Sequence, residues 1–437
     1  MSVNYTPEQK RAIEQNGNIL ISASAGSGKT TVLVERVLNN IINKKVPINR
    51  MLVLTFTELA SSEMKAKITS KLIEVAKEGG EVGALMREQI ALMPFSQIST
   101  IHSFCLELAR SHFDYLGIDP VFDILSEMEV ELYKRKAFES AIEKVSTDKN
   151  PVIDLTLLVN VLTKNRTYDE FYAIVKKIYE NAKTQVDEHF LTKQVGFMFC
   201  KDGISFLGRI IVKEIEKDIM LVNAILDSIR KDVSDNVDVV EEMVEKLQPF
   251  RKGNGLEEFV RYAVDFKLTK RLRKSNTKDS EYVIEMISKA RGVLNDAVKK
   301  LREMSPYSNT IREYRQTEPV LTSLVKFTEE FAKEYGALKA KDGKQDFNDL
   351  ETYALEILKN DELVEEIKGR YDAVFVDEYQ DTNPVQEYII DKVAKDERFY
   401  VGDLKQSIYG FRLCDPRIIK NRYDNYKKTG EQFLNKR

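Results

Sequence analysis

The stretch "SASAGSGKT", from Ser22 to Thr30, ends as a phosphate-binding loop ends but does not begin as one. The pattern G-x-x-x-x-G-K-[ST] places a glycine at the position that Ala23 occupies here. Alanine is tolerable at this position if it keeps a negative φ, as a residue at the end of a strand does. The stretch is therefore either a nucleotide site or a glycine-serine turn that carries a lysine.

The sequence on both sides of the stretch favours the nucleotide site. The preceding "NILIS" is a short apolar run, which predicts a buried strand, and apolar residues at helical spacing follow from Leu33. Gly26 and Gly28 can leave the ordinary dihedral regions, so that successive backbone N–H groups surround a phosphate at a helix N-terminus. Lys29 would then reach the β and γ phosphates, and the Thr30 hydroxyl would coordinate Mg²⁺. The alternative is a solvated turn with a surface lysine.

The composition indicates a globular protein of about two or three domains. The chain has 437 residues, 43% of them hydrophobic, and a net charge of −3, so binding to a polyanion would have to come from local patches. No apolar run reaches membrane-spanning length, and the N-terminus lacks the features of a signal peptide. Cys105, Cys200 and Cys414 are too far apart for a metal cluster and are predicted to be buried thiols in a reducing cytoplasm.

The apolar runs predict an α/β protein with a parallel sheet and a long helical insertion. Three strand-like runs lie in the first 105 residues and two in the last 70, and each is continuously apolar at its centre, as a strand covered on both faces is. Between about residues 110 and 345 the periodicity is helical. The predicted strands are "NILIS" (18–22), "RMLVLTF" (50–56), "QISTIHSF" (97–104), "DAVFVDE" (372–378) and "RFYVGD" (398–403).

A basic run, "FKLTKRLRKSNTK" at residues 266–278, lies within the predicted insertion. Such a run is either a solvated helix and loop or a patch that follows a phosphate backbone. The sequence leaves both interpretations open.

A phosphate-binding loop requires a carboxylate at the end of a neighbouring strand to hold the metal and a base to position the attacking water. The segment "AVFVDEYQD" supplies both, since Asp377 ends an apolar strand and Glu378 follows it. We assign Asp377 to the metal and Glu378 to the general base. An acidic pair after a strand is often only a solvated strand end, but its occurrence together with the loop supports the catalytic interpretation.

Several motifs together resemble the UvrD/Rep class of superfamily 1 DNA helicases and occur in the order typical of that family. Three longer segments are similar to the AddA (RexA) subunit of bacterial helicase-nucleases: "STIHSFCLELAR", "QDFNDLETYALEIL" and "VGDLKQSIYGFRLCDP". The resemblance covers less than half of the residues and is weak across the insertion. The family motifs are "YTPEQ", "AGSGKT", "LVLTFTELASSEMKAKI", "ISTIHSFC", "DEYQDTN" and "VGDLKQSIYGFR".

The resemblance implies a first RecA-like ATP-binding domain, a P-loop NTPase sheet, formed by residues 1–110 and 345–437, with residues 111–344 as an all-helical insertion domain. It implies ATP and Mg²⁺ as cofactors and DNA as substrate, both single strands and double-strand ends. It also implies that the partner is a second helicase-nuclease subunit, of the AddB (RexB) kind. No membrane association is expected.

The resemblance also implies roles for individual residues. Gln9 would read the adenine edge, Gln406 would sense the γ-phosphate, and Arg412 would link that sensor to the DNA groove. The residues implied in nucleotide binding are Gln9, Ala25, Gly26, Ser27, Gly28, Lys29, Thr30 and Thr31, with Thr30 and Asp377 on the metal. The residues implied in catalysis are Lys29, Glu378, Gln406 and Arg412.

The resemblance further implies that single-stranded DNA binds a track formed by Phe56, Thr57, His102, Tyr409 and Phe411. Aromatic faces stack on any base and therefore permit movement without sequence preference. The alternative for the aromatic residues is core packing, and His102 could equally be a satisfied polar residue at a strand end.

The chain departs from the family in three places. Glu58 stands where these helicases have an asparagine, and its charge would repel a phosphate; Thr31 stands where they have an arginine that stacks on adenine, which implies loose base selectivity. The last residues, "EQFLNKR", stop where the family continues into its next motif. We therefore expect the chain to be the N-terminal portion of a longer protein, without the second RecA-like domain and the nuclease domain.

Two functional hypotheses follow for this chain. In the first, the parent protein is an ATP-driven translocase that moves 3′ to 5′ on single-stranded DNA within a helicase-nuclease that processes double-strand breaks. In the second, the chain as it stands binds nucleotide and DNA without turnover. Steady-state ATPase rates with and without single-stranded DNA separate them. A stand-alone UvrD-like repair helicase is the alternative to the first, and a nuclease domain encoded in the full-length gene would decide between them.

Overall fold

A computed structural model of the chain describes residues 5–23, 28–148, 152–251, 255–403, 414–415, 417–429 and 432–436. All five strands predicted from the sequence are present. The strands of these residues are β1 (Ile19–Ala23), β2 (Met51–Thr55), β3 (Gln97–Thr100), β4 (Asp123–Ile124), β5 (Lys344–Gln345), β6 (Ala373–Val376), β7 (Arg398–Gly402) and β8 (Gln432–Lys436).

Six of the described strands form one sheet in the order β3-β2-β6-β7-β1-β8, and every pair of neighbours is parallel. The predicted α/β class with a parallel sheet is confirmed. The carboxyl ends of all these strands lie along one edge, so the residues that follow β1 and β6 share that edge although they are far apart in sequence. Strand β8 was not predicted, because its sequence "QFLNK" lacks the apolar run of the other strands.

Helices cover both faces of this sheet, which explains why its strands are continuously apolar. In β6, Ala373 and Phe375 face one buried cluster while Val374 and Val376 face the other, and all four residues are buried. A strand with water on one face would alternate with polar residues instead.

The helices of the described residues in the first half of the chain are α1 (Pro7–Glu14), α2 (Lys29–Lys44), α3 (Glu58–Ala76), α4 (Gly80–Leu92), α5 (Ile101–Ser111), α6 (Phe113–Leu116), α7 (Glu127–Asp148), α8 (Leu155–Leu162), α9 (Tyr168–Lys183) and α10 (Phe190–Phe199). Those in the second half are α11 (Lys201–Ile229), α12 (Val237–Leu247), α13 (Leu256–Asp265), α14 (Glu281–Glu303), α15 (Tyr307–Gln316), α16 (Glu318–Lys341), α17 (Phe347–Ile357), α18 (Asp361–Arg370), α19 (Pro384–Val393) and α20 (Arg417–Thr429). Among these helices, none combines the length and the hydropathy that crossing a bilayer requires.

The chain divides into two compact units. The first comprises residues 1–149, 162–190 and 327–437 and contains the sheet. The second comprises residues 150–161 and 191–326, and its core lies among α11, α12, α13 and α14. The domain boundaries inferred from the sequence, at residues 110 and 345, stay a prediction.

Two details differ from the sequence analysis. The pair β4 and β5 places a strand inside the stretch expected to be helical throughout, and two residues are too few to produce a periodic signal. Of the three cysteines, only Cys105 is buried, and burial raises the pKa of its thiol. The prediction of buried thiols is wrong for Cys414, which is partly exposed, and for Cys200, which is exposed at the N-cap of α11.

The basic run in the second unit forms an ordered loop between α13 and α14. Asp279 is buried and accepts hydrogen bonds from the backbone of residues 234–236, and the buried Asn236 side chain donates to Arg273 O and accepts from Arg273 N. The cations of the run lie on the exposed side of this polar scaffold. Whether they face water or a phosphate backbone stays open.

Helix α1 is tied to α2 by a fully buried arginine. Arg36 donates to the carbonyl oxygens of Ala12 (2.7 Å) and Gln15 (2.6 Å), which lie at the C-terminal end of α1 and have no partner within the helix. Its other terminal nitrogen lies 2.5 Å from Glu397 Oε1, and the guanidinium lies 4.8 Å from the centre of the Phe399 ring. Arg36 therefore joins the amino-terminal helix, the helix after the loop and the start of β7.

We predict that Arg36→Met lowers the free energy of unfolding by about 2–4 kcal/mol, because it leaves two carbonyls at the end of α1 without their donor. It also removes one of the two cations that pair with the partly exposed Glu397, the other being Lys44. Arg50→Met is the matched control. Arg50 pairs with Asp372 at the same amino-terminal edge of the sheet, but both side chains are partly exposed, so the expected loss is about 0–1 kcal/mol. Urea denaturation measures both values, and equal losses would contradict the assignment.

Candidate functional site

The loop after β1 leads into the N-terminus of α2 through a left-handed glycine. Gly28 has φ 84° and is the N-cap of α2, where it supplies no side-chain hydrogen bond, and the first turn carries no acidic residue. The helix dipole and the uncapped N–H groups make this end a site for an anion. Lys29, Thr30 and Thr31 form the first turn; Ala25, Gly26 and Ser27 lie outside the described residues. Ala23, which stands where the loop pattern has a glycine, is the last residue of β1, so it lies at the end of a strand as expected from the sequence.

The acidic pair follows β6 at the same edge of the sheet. The Asp377 N–H donates to Leu54 O of β2 (2.9 Å), which continues the sheet pairing by one residue. Glu378 has φ 48°, a left-handed conformation that is strained for a residue with a side chain. Its Oε2 lies 3.1 Å from Lys29 Nζ, although the two residues are separated by 349 positions. The fold therefore brings the loop lysine and the predicted base into direct contact.

The Asp377 carboxylate lies in a buried environment beside a second carboxylate. Burial, followed by the charge of Glu378, raises the pKa of Asp377, whereas Lys29 and Lys67 act in the opposite direction. A carboxylate that is buried next to another carboxylate is stabilised when a divalent cation binds. Magnesium needs only one or two protein carboxylates, since it keeps several of its waters. Asp377 and Thr30, both within the described residues, share no hydrogen bond.

Gln380 orients Glu378, and the sequence analysis did not identify it. Its Nε2 donates to Glu378 Oε2 (2.8 Å), while its Oε1 accepts from the N–H of Asp403 (2.9 Å) at the end of β7. A Cβ at Gly402 would lie 2.8 Å from Gln380 Oε1, so the glycine is required for this close approach. The signal in the sequence was a glutamine two residues after the acidic pair, with a glycine at the end of the next strand.

Gln9 lies beside Gly28, at the N-terminus of α2. It closes a capping box at the start of α1, in which the Thr6 N–H donates to Gln9 Oε1 (2.9 Å) and the Gln9 N–H donates to Thr6 Oγ1 (3.3 Å). The amide nitrogen of Gln9, Nε2, lies close to Gly28: a Cβ added to this glycine would lie 3.3 Å from Nε2. The amide is therefore held in one orientation next to the first turn of α2. Tyr5, which precedes α1, forms a hydrogen bond with Glu35 of α2, and burial together with this hydrogen bond raises the pKa of Tyr5 to about 12. The hydrogen bond connects the start of α1 to α2.

A cavity of about 530 Å³ in the first unit contains the predicted aromatic track residues that the structure describes. Phe56 and His102 line it, and Phe347 lines it with them. The Phe347 side chain is 49% exposed, and its ring centre lies 5.0 Å from that of His102. Phe347 lies in "QDFNDL", a segment similar to AddA, but the sequence analysis assigned it no role. Its signal was an aromatic residue at the first position of a helix, where nothing in the core requires it.

The start of α17, which carries Phe347, is fixed by a buried ion pair. Asp346 caps α17, and Lys339 Nζ lies 3.2 Å from its Oδ2. Burial acts to raise the pKa of Asp346, but Lys339 and a hydrogen bond from Tyr335 outweigh it and hold the pKa below its ordinary value. Phe347 therefore projects from a rigid turn.

Thr57 and Glu58 lie at the start of α3. The Thr57 side chain caps α3 by accepting from the N–H of Ala60 (3.1 Å). Glu58 Oε1 accepts from the hydroxyls of Thr100 (2.8 Å) and Ser103 (2.7 Å) at the start of α5. Two hydroxyl groups therefore donate to the Glu58 carboxylate. The expected repulsion between Glu58 and a DNA phosphate stays a prediction. Gln406, Tyr409, Phe411 and Arg412 lie outside the described residues.

Comparison with known proteins identifies a single family across most of the chain. Residues 5–427 match the model of the UvrD/REP helicase N-terminal domain. The chain is 30% identical to the A-type subunit of the ATP-dependent helicase/nuclease of Alkaliphilus oremlandii, over 99% of its own length and 37% of that protein. It is 32% identical to the proteins of the same name from Alkaliphilus metalliredigens and Anoxybacillus flavithermus, over 98% of its length and 37% and 38% of theirs.

The chain thus spans well under half the length of these curated relatives. The resemblance inferred from its motifs is confirmed, and the match extends across the helical segment, where the motifs alone were weak. The chain belongs to the UvrD/REP helicase N-terminal domain family.

Proposed function

We propose that this chain binds Mg-ATP and single-stranded DNA as part of an ATP-driven 3′ to 5′ DNA translocase. The parent protein would be an AddA-like helicase-nuclease subunit that processes double-strand breaks in the cytoplasm. The observation that carries the proposal is the contact between Lys29 and Glu378 at the carboxyl edge of the sheet. Their side chains and the N-terminus of α2 would supply a phosphate cradle and a base, two of the parts that phosphoryl transfer from a nucleotide requires.

In this structure the Lys29 ammonium group is paired with the Glu378 carboxylate. A nucleotide phosphate at the N-terminus of α2 would compete with Glu378 for this cation, because a phosphate carries more charge than a carboxylate. Binding of the phosphate would therefore free the Glu378 carboxylate from its ion pair. The Lys29 side chain is 10% exposed and the Glu378 side chain 39% exposed, so the released carboxylate would be accessible to water.

Thr30 and Asp377 would hold the magnesium ion. The buried environment of Asp377, beside a second carboxylate, fits a divalent cation. When bound, magnesium would neutralise charge on the β and γ phosphates.

Glu378 would act as the general base. Its released carboxylate would accept a proton from the water that attacks the γ-phosphate, and Gln380 would keep that carboxylate oriented through its amide. The strained φ of Glu378 is consistent with this role, since such conformations cluster at functional sites. Gln9, held by its capping box, would present its amide to the adenine edge.

The cavity lined by Phe56, His102 and Phe347 would bind single-stranded DNA by stacking. Six carboxylates of the described residues line this cavity: Glu127, Glu131, Glu180, Asp346, Glu351 and Asp381. Three of them are paired with lysines, which reduces their repulsion of a DNA backbone: Glu180 with Lys134 at 2.7 Å, Glu131 with Lys176 at 2.5 Å and Asp346 with Lys339 at 3.2 Å. Thr57, at the neighbouring N-terminus of α3, would contact the backbone of the strand.

The name of the relatives supports the proposed substrate and partner. Those proteins are named as the A-type subunit of an ATP-dependent helicase/nuclease, which implies DNA as substrate and at least one further subunit. For this chain we propose DNA ends as the site of action, and we propose that its partner is an AddB-like (RexB-like) subunit.

Lys29→Ala should weaken the binding of a fluorescent ATP analogue by about tenfold to a hundredfold, because the phosphates lose a charge-assisted partner. Glu378→Gln should retain or increase the affinity, since it removes the carboxylate that competes for Lys29. Lys368→Ala, on α18 before the amino-terminal end of β6, is the matched control and should leave the affinity unchanged. Equal loss of affinity in Lys29→Ala and Glu378→Gln would refute this division of roles.

Phe56→Ala and Phe347→Ala should each weaken binding of a fluorescein-labelled single strand by on the order of 1–3 kcal/mol, with little dependence on base sequence. Fluorescence anisotropy measures the affinity. Phe95→Ala is the control, because Phe95 is 73% exposed and precedes β3 at the opposite edge of the sheet. If neither variant at the cavity changes the affinity, the rings serve packing alone.

A further inference from the structure

Glu351 is a buried carboxylate in the lining of the cavity that contains Phe56, His102 and Phe347. It lies on α17, one turn after Phe347, and is 2% exposed. Its neighbours along the helix on the same buried face are apolar, among them Leu350, Ala354 and Leu355. Packing alone favours an apolar residue at such a position, because a buried charge is costly unless it is paired and hydrogen-bonded.

The contacts of Glu351 connect two elements. On one side, His102 Nε2 of α5 lies 3.2 Å from Glu351 Oε1. On the other side, Gln386 Nε2 donates to Glu351 Oε1 (2.7 Å) and Asn383 Nδ2 donates to Oε2 (3.4 Å). In the part of the chain that the structure describes, no lysine or arginine lies within ion-pairing distance of this carboxylate, and His102 is its one potential cationic partner.

The two amides belong to the segment that follows the predicted base. Asn383 and Gln386 form the capping box of α19, and a short 3₁₀ turn, Tyr379–Asp381, joins this box to Glu378. Gln380, within that turn, holds the Glu378 carboxylate, as described above. Lys29 and His102 are therefore connected through four steps. Lys29 contacts Glu378, a short turn joins Glu378 to the capping box of α19, Gln386 of that box contacts Glu351, and Glu351 lies next to His102.

We infer that Glu351 is a positioning residue, which holds the His102 ring against Phe347 in the proposed DNA cavity and ties that ring to the segment carrying Glu378. This inference rests on the DNA-binding function proposed above. His102 is about one third exposed on the cavity wall, so its ring would be free to rotate without a partner on its inner side. A carboxylate can only accept, so a proton on His102 Nε2 would make this contact a hydrogen bond that fixes the ring orientation.

The first test is a double-mutant cycle in the binding of fluorescein-labelled oligothymidine to the chain. Glu351→Gln keeps the size of the side chain but removes its charge, and it should lower the affinity by about fivefold or more, as should His102→Ala. The double variant should bind no more weakly than His102→Ala, because Glu351 acts through that ring. Glu356→Gln, an exposed glutamate on the same helix, is the matched control and should bind normally.

Two results would overturn the inference. The first is an unchanged affinity in Glu351→Gln, and the second is a loss of affinity from Glu351→Gln that is just as large when His102 is already alanine. Where Glu351→Gln lowers the melting temperature, the affinities are compared at a temperature at which both proteins are fully folded. A residue of merely structural importance then leaves the affinity unchanged, whereas a positioning residue still lowers it.

The second test needs no DNA and separates this inference from the function on which it rests. The chain has three histidines, so ¹⁵N spectra of the imidazole rings resolve each of them. His102 should carry its proton on Nε2, and Glu351→Gln should shift the His102 signals while those of His112 and His189 stay in place. Unshifted His102 signals would refute the positioning role. If the chain does not bind the oligonucleotide at all, the proposed DNA-binding function fails, and the imidazole signals alone decide whether Glu351 holds His102.

Discussion

The ion pair between Lys29 and Glu378 depends on one constraint, the parallel direction of the strands. Strands β1 and β6 are separated by β7 in the sheet, and all three end at the same edge. Residues separated by 349 positions meet there within 3.1 Å. An antiparallel arrangement of either strand would place the loop and the acidic pair at opposite ends of the sheet. The continuous apolar character of the strands, which follows from burial on both faces, is thus the property on which the candidate site rests.

Amide side chains hold the site around this ion pair. Gln9 is oriented by the N-cap of its own helix, Gln380 joins the acidic segment to the end of β7, and Gln386 joins α19 to Glu351. An amide can donate and accept at once, so Gln380 and Gln386 each connect two elements without adding charge to an edge that already carries several carboxylates. Burial of Gln380 and Gln386 keeps the geometry of these two amides fixed, since an unpaired buried polar group is costly.

The strands, the helix after the loop and the acidic pair could be predicted from the sequence, because each is a local pattern. The apolar run before Asp377 and the glycine before Lys29 identify their own surroundings within a few residues. Gln380, Phe347 and Glu351 could not be found in this way. Their roles depend on contacts with Asp403, His102 and Gln386, which are distant in sequence or have no periodic signature. Strand β8 and the two-residue strands lacked any apolar pattern to detect.

The most direct test is a crystal structure of the chain with Mg²⁺ and a non-hydrolysable ATP analogue. The phosphates should lie at the N-terminus of α2 against Lys29, with Glu378 released from the lysine but still hydrogen-bonded to Gln380. Magnesium should lie between Thr30 and Asp377, and the adenine should lie beside Gln9. An analogue bound elsewhere, with the contact between Lys29 and Glu378 unchanged, would contradict the account.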